Sequence, residues 1–249
     1  MAQKKSLERI QRSWLAANER RLLVWMATHM PAWVKPDHLT GLGLTGSLMC
    51  GAGFACSNFS PAWLWLCVLG LVINWAGDST DGSLARVRKI ERPQYGFFVD
   101  HTSDILSQGF IFIGLALSPY VRFETGCLLL MSYWIAAMFT FIRAITGGVF
   151  QISYYGIGPT EIRIGLLVYV ASLLTIGPMT MVTRMGELAL MDMIAIVIFC
   201  VVFVSFGIMT IWEARRLASV DVAPVVAPAL AHRSLPSGGS LLLAETDRA

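Results

Sequence analysis

The sequence predicts an all-α integral membrane protein, with six transmembrane helices preceded by an N-terminal amphipathic juxtamembrane helix. Three observations predict it. First, 55% of the 249 residues are hydrophobic and only 14% are charged, with a mean hydropathy of +0.63. Soluble domains average about 45–50% apolar and about 25% charged. Second, apolar windows of roughly the 20 residues that a spanning helix needs recur along most of the chain. Third, arginine and lysine fall mainly on alternate connections between those windows, as they do where one side of a membrane is cytoplasmic.

The elements follow in order. Leu7, Ile10, Trp14, Leu22 and Trp25 recur at spacings of three and four, with Lys4, Lys5, Arg9, Arg12, Arg20 and Arg21 around them. This pattern makes residues 1–35 an amphipathic helix lying on an anionic membrane surface; the alternative is a solvated helix packed on its own protein. No apolar run follows Lys4 and Lys5, so no cleavable leader is expected. Pro36 precedes a first span near 39–58, and Ser60-Pro61 marks a turn. A second span runs from about 62 to the first aspartates. A basic loop with Arg86, Arg88, Lys89 and Arg92 is broken by Pro93. The third span covers about 96–117, ending at Ser118-Pro119, and the fourth about 125–146, ending at Gly147-Gly148. A loop at 150–160 carries Tyr154, Tyr155, Gly156, Gly158 and Pro159. The fifth and sixth spans are placed near 161–182 and 189–212, completing a membrane domain over 36–216. Prolines, alanine-valine runs and a PSGGS stretch make 217–249 a disordered tail.

Six spans put both termini on one side. The N-terminus, the 86–92 loop, Arg163 and Arg215-Arg216 share that side, whereas the opposite loops hold little beyond Arg122 and Arg184. Both termini and the 78–104 stretch are therefore expected at the cytoplasmic face. Cys50, Cys56, Cys67, Cys127 and Cys200 lie singly in apolar segments and are expected reduced. The four histidines show no ligand spacing.

One stretch carries chemistry. Between Gly77 and Asp104 lie four aspartates: Asp78 and Asp81, three apart, and Asp100 and Asp104, four apart. Each spacing stacks two carboxylates on one helical face. A charged residue inside a span is costly, so it marks function. The pairs close one helix and open the next, so a short loop brings them together. Clustered hard oxygens call for a divalent cation, Mg²⁺ or Mn²⁺, one or two ions. Such an ion would also bind phosphate. Gly82 and Ala85 leave room beside the backbone, Arg86 offers a planar fork suited to phosphate, and Gly96 opens the helix that carries Asp100.

The stretch reads D-x2-D-G-x2-A-R-x9-G-x3-D-x3-D. It resembles the signature of the CDP-alcohol phosphotransferases, integral membrane enzymes of phospholipid synthesis with six spanning helices, usually homodimeric. All eight fixed positions match in order. The nine-residue gap between Arg86 and Gly96 is one longer than the commoner family spacing and falls in the loop. The resemblance implies that Asp78, Asp81 and Asp100 are metal ligands, joined by Asp104, which also takes the acceptor's proton. It implies that Gly82, Ala85, Arg86 and Gly96 line the site of the cytidine diphosphate. Thr40, after Pro36, matches a P-x-x-x-T entry seen in many members.

The expected partners are a CDP-linked donor, an alcohol acceptor, membrane lipids and a second copy of the chain, with no nucleic acid. The donor is read as CDP-diacylglycerol; a CDP-amino-alcohol with a lipid acceptor is the alternative, and Asp100-His101 resembles the D-H pair of choline and ethanolamine phosphotransferases. Other classes are a cation-coupled transporter and an inactive scaffold. The first leaves Gly82, Ala85, Arg86 and Gly96 unexplained, and the second is disfavoured by the presence of all four aspartates. Arg163, in the Gly158-to-Arg163 helix start, and Arg143 are read either as phosphate or headgroup binders or as structural residues.

Overall fold

The structure, a computed structural model, describes residues 8–10, 16–147, 149–151, 158–183 and 186–221. Seven helices account for nearly all of them: α1 (Ala16–His29), α2 (Pro36–Cys56), α3 (Leu64–Val87), α4 (Pro93–Ala116), α5 (Phe123–Gly147), α6 (Pro159–Thr175) and α7 (Leu190–Asp221). A 3₁₀ turn over Pro61–Trp63 and two short ribbons complete the described fold. β1 (Glu8–Ile10) pairs in parallel with β2 (Val149–Gln151), and β3 (Thr180–Thr183) pairs antiparallel with β4 (Gly186–Ala189). Helices over Pro36–Cys56, Pro61–Val87, Phe123–Thr146 and Leu190–Ser219 are long and apolar enough to cross a membrane, so the protein is an integral membrane protein.

Local chemistry sets the boundaries. Pro36, Pro93 and Pro159 stand at first-turn positions, where no intrahelical N–H is needed. Lys89 ends α3 in the left-handed region, φ 56°, and the Ile90 N–H reaches back to the Ala85 carbonyl at 3.0 Å. At the end of α6, Gly177 takes φ 85° and its N–H donates to Ser172 O at 3.2 Å; Pro178 then prevents continuation. The fifth apolar segment, expected to run as a helix to 182, therefore stops at Thr175, and Thr180–Thr183 is a strand. α7 runs past the expected end at 212 to Asp221, so the first residues assigned to a disordered tail are helical. The helix expected over the N-terminal basic segment begins at Ala16, with a strand at Glu8–Ile10. The rest of the tail, residues 222–249, lies outside the described residues, as do 1–7, 11–15 and Tyr154, Tyr155 and Gly156.

α2 is the centre of the packing, and glycine makes this possible. A Cβ on Gly46 would stand 2.4 Å from the Asn74 nitrogen, and one on Gly77 would stand 2.4 Å from the Gly43 nitrogen. On another face, a Cβ on Gly51 would lie 2.2 Å from the Phe110 carbonyl oxygen of α4. In lipid no hydrophobic force drives helices together, so such close backbone approach supplies the dispersion contacts that hold them. Phe54, Leu64, Leu71, Ile111 and Leu115 fill the core, joined by Leu129 of α5 and Leu166 and Val170 of α6. A smaller core of Ala27, Val34, Leu39 and Leu84 seats α1 against α2 and α3.

Polar ties fix the helix ends. The Arg88 guanidinium donates to the carbonyls of Met30, Pro31, Ala32 and Val34, clamping the α1–α2 connection onto the end of α3. Arg92 donates to both oxygens of Asp37 at 2.5 and 2.7 Å, joining the starts of α2 and α4. At their other ends Asn58 Nδ2 donates to Leu117 O at 2.7 Å. Buried Asp192 accepts the Arg122 N–H at 2.8 Å, the Ala189 N–H at 3.1 Å and the Thr125 hydroxyl. The chain divides into two units. Residues 1–206 hold the packing just described; in 207–249 the described part is the end of α7, where Arg216 pairs with Glu213.

Candidate active site

Asp78 and Asp81 lie near the end of α3, and Asp100 and Asp104 lie in the first half of α4. The connection over residues 88–92 is short, so the chain reverses at once and presents the two ends together. One carboxylate oxygen each from Asp78, Asp100 and Asp104 lies within 4.8 Å of the others. Like charges that close demand a positive charge between or beside them. Three half-buried hard oxygen donors at this spacing fit a divalent cation such as Mg²⁺ or Mn²⁺.

The fourth aspartate is held differently. Asp81, 8% exposed, accepts the Thr40 hydroxyl at 2.6 Å on one oxygen and the Gly82 N–H at 2.5 Å on the other. The structure thus gathers three of the four carboxylates into one group and places the fourth beside it, tied to α2. Asp78 also has a partner beyond the group. Arg163 of α6, 4% exposed, pairs through Nη2 with Asp78 Oδ2, and its Nε donates to Asn74 Oδ1 at 2.8 Å. Asn74 Nδ2 in turn donates to the Gly43 carbonyl at 2.9 Å.

The remaining motif residues lie on the same two helices, Gly82, Ala85 and Arg86 on α3 and Gly96 on α4. A Cβ on Gly82 would stand 3.4 Å from Arg86 Nη1, an ordinary contact, so the guanidinium lies directly beside this glycine. Arg86 Nη2 donates to Ser83 Oγ at 3.1 Å. Ala85 is half-buried, and the space beside Gly96, in the first turn of α4, is open. The His101 ring stacks on Phe97 at 4.1 Å, and its Nδ1 lies 3.6 Å from Asp100 Oδ2. Tyr133 of α5 lies within electrostatic reach of Asp104, Arg163, Asp78 and Asp100. Arg143, also on α5, is half-buried.

A cavity of about 310 Å³ opens between α1, α3 and α6. Leu22, Leu71, Val72, Trp75, Ile164 and Leu167 make its walls apolar, with Arg163 in the lining. Glu19 closes one end by accepting the Trp75 indole N–H at 3.0 Å and the Thr160 hydroxyl at 2.7 Å. Arg163 thus reaches both the cavity and the carboxylate group.

The family model described as CDP-alcohol phosphatidyltransferase matches residues 33–202. The chain belongs to this family. The match takes in the whole D-x2-D-G to D-x3-D stretch as well as Thr40, Asn74 and Arg163. Cholinephosphotransferase 1 of Mus musculus is 30% identical over 167 residues, which cover 63% of this chain and 40% of that protein. The Bos taurus cholinephosphotransferase 1 is 29% identical over 167 residues, with the same shares covered. Archaetidylinositol phosphate synthase of Methanothermobacter thermautotrophicus is 31% identical over 108 residues, 43% of this chain and 51% of that protein. The chain therefore spans less than half the length of the cholinephosphotransferases it matches.

Asn74, Thr40 and Tyr133 lie at or near the carboxylate group, and none has a role in the sequence reading. Asn74 stands one helical turn before Asp78, a polar residue in an apolar span, and that placement was a usable signal. Thr40 matched a family pattern without a role, and Tyr133 carries no sequence signal that separates it from the other aromatic residues of its helix.

Proposed function

We propose that this protein is a membrane phosphotransferase of phospholipid synthesis, moving a substituted phosphate group from a CDP-linked donor to an alcohol hydroxyl and releasing CMP. CDP-diacylglycerol is the donor in this reading. The observation that carries it is the convergence of Asp78, Asp100 and Asp104 within 4.8 Å, in a chain that belongs to the family. These three, with Asp81 beside them, would hold Mg²⁺ or Mn²⁺, one or two ions. Once bound, the metal supplies positive charge for the phosphoryl oxygens and for the departing CMP.

The chain's own residues do the rest. Asp104 takes the proton of the acceptor hydroxyl. The freed oxygen bonds to the phosphorus that carries the alcohol unit, the bond from that phosphorus to CMP breaks, and CMP leaves with the electron pair. Arg86 and the open backbone at Gly82, Ala85 and Gly96 receive the diphosphate. Phosphoryl transfer depends mainly on such positioning and charge. The apolar cavity beside Arg163 supports a lipid substrate, because it offers hydrocarbon a place one residue from the carboxylates.

A second reading has its own support. The relatives named cholinephosphotransferase, together with Asp100-His101, favour a CDP-amino-alcohol donor and a lipid acceptor. In either reading six helices cross the membrane, both termini and the site face the cytoplasm, and the enzyme is a homodimer. α1 lies at the interface, docked on its own protein through Leu23 and Ala27 and presenting Trp25, 59% exposed, to lipid.

The deciding experiment incubates purified protein and Mg²⁺ with CDP-diacylglycerol and a panel of small alcohols, and in parallel with CDP-choline or CDP-ethanolamine and diacylglycerol. CMP release in the first set supports the lipid-donor reading, and release in the second the alternative. No CMP from any mixture would sink both.

A further inference from the structure

We propose that Arg163, held by Asn74, is a positioning residue that fixes the Asp78 carboxylate so that one of its oxygens stays available to a divalent cation. The inference rests on the reading of Asp78 as a metal ligand. Three observations carry it. Arg163 and Asn74 are almost wholly buried, at 4% and 1% exposure, where an unmatched charge or amide is costly. Their bonds form one continuous line: the Gly43 carbonyl accepts from Asn74 Nδ2, Asn74 Oδ1 accepts from Arg163 Nε, and Arg163 Nη2 reaches Asp78 Oδ2. The line joins three helices, α2, α3 and α6, and occupies one oxygen of Asp78 while the carboxylates of Asp100 and Asp104 gather around the residue.

The guanidinium geometry decides the role. Its Nε and Nη2 point along two separate directions of a planar fork, and each has a partner, so ring-like rotation of the head is blocked. A lysine has charge but no fork. Asn74 is itself fixed, since its donor is committed to Gly43 and its acceptor to Arg163. An outer residue that orients a metal ligand commonly changes metal affinity about 10–100-fold when it is removed.

Simple electrostatics predicts the opposite sign. A cation beside a metal site repels the metal, so deleting the Arg163 charge should tighten metal binding if charge were its whole contribution. The two roles are therefore separable by direction. The test measures Mn²⁺ binding to the purified full chain in detergent by electron paramagnetic resonance, without substrate, for the wild type, Asp104→Asn, Arg163→Gln, Arg163→Lys and Asn74→Leu. The expected result is Mn²⁺ binding by the wild type, with affinity reduced tenfold or more in Arg163→Gln and severalfold in both Arg163→Lys and Asn74→Leu. Unchanged or tighter binding in Arg163→Gln overturns the proposal while leaving Asp78 a ligand. Wild-type affinity in Arg163→Lys overturns the part played by the fork. If Arg163→Gln does not fold, Arg163→Lys and Asn74→Leu are read in the same way, and unchanged affinity in both is decisive against it. A wild type that binds no Mn²⁺, or binds it as well when Asp104 is asparagine, removes the carboxylate site itself and is distinguishable from these outcomes.

Discussion

At the residue scale, two aspartates of the motif are held differently. Asp81 accepts one hydrogen bond on each oxygen, from the Thr40 hydroxyl and the Gly82 N–H, so its orientation is fixed by the protein while a lone pair on each oxygen is left for a cation. Thr40→Val removes a donor from a buried carboxylate at nearly constant volume. The expected cost is about 1–3 kcal/mol, the penalty for stranding a buried polar group, read as a lower midpoint of thermal unfolding in detergent. Asp104 belongs instead to the open group of three. Asp104→Asn keeps the shape and removes the proton acceptor, so CMP release should vanish while binding of the CDP donor changes much less; a variant with full turnover would take Asp104 out of the reaction. The motif aspartates were legible because they lie close together in the chain. Their partners were not: Thr40 is 41 residues from Asp81, and Arg163 is 85 residues from Asp78. No local spacing encodes such pairings, and only the packing of α2 and α6 on α3 creates them.

At the scale of the element, the apolar windows located the start of every spanning helix to within a few residues, since length and hydrophobicity are properties of the segment itself, but they missed the end of α7, which runs to Asp221. They failed for α6, where the apolar run continues but Gly177 and Pro178 end the helix. They were also silent on why α2 sits in the middle. That depends on glycines meeting backbone from a neighbouring helix, and a glycine in an apolar window looks the same whether it faces lipid or a partner. The contrast is testable. Gly46→Ala and Gly51→Ala place a methyl group against backbone at 2.4 and 2.2 Å, with no flexible side chain to yield. Each should lower stability by about 1–3 kcal/mol, the usual cost of overpacking, and widen the α2–α3 or α2–α4 spacing on which the site depends. Gly165→Ala in α6 meets nothing within 4 Å and should be neutral or raise stability by up to about 1 kcal/mol through helix propensity. Denaturation of the three variants side by side in one detergent separates packing from propensity. Equal effects would mean that the glycines of α2 are not contact points.

At the scale of the whole molecule, the remaining question is which helices cross the membrane. Among the described residues four helices qualify by length and composition alone, and α4 and α6 are not among them. For α4 the shortfall is the site itself: Asp100, His101, Ser103 and Asp104 crowd its first half, and Ser107 and Gln108 follow just beyond it. Its 24 residues are about 36 Å long, ample for a hydrocarbon core of about 30 Å. Its neighbours fix its course. Arg92, just before α4, pairs with Asp37 at the start of α2, and Leu117, just after it, accepts from Asn58 at the end of α2. α4 therefore runs beside α2 from end to end, and if α2 crosses the bilayer α4 must as well. α6 is shorter, about 26 Å over 17 residues, yet it starts level with Asp78 through Arg163 and reaches Tyr120, whose carbonyl accepts from the Tyr169 hydroxyl at 3.4 Å. Four and six crossings both leave the termini on one side, so tagging the termini cannot tell them apart. The connection over 118–122 can: it is outside the cell with six crossings and cytoplasmic with four. Single cysteines replacing Glu124 and Ile90 in a variant without the native cysteines, probed with a membrane-impermeant thiol reagent on intact spheroplasts, give the answer. Glu124→Cys should label at once and Ile90→Cys, in the basic loop, only after lysis. Protection of Glu124→Cys until lysis would mean that α4 turns back without crossing, and the contacts that align it with α2 would need another explanation.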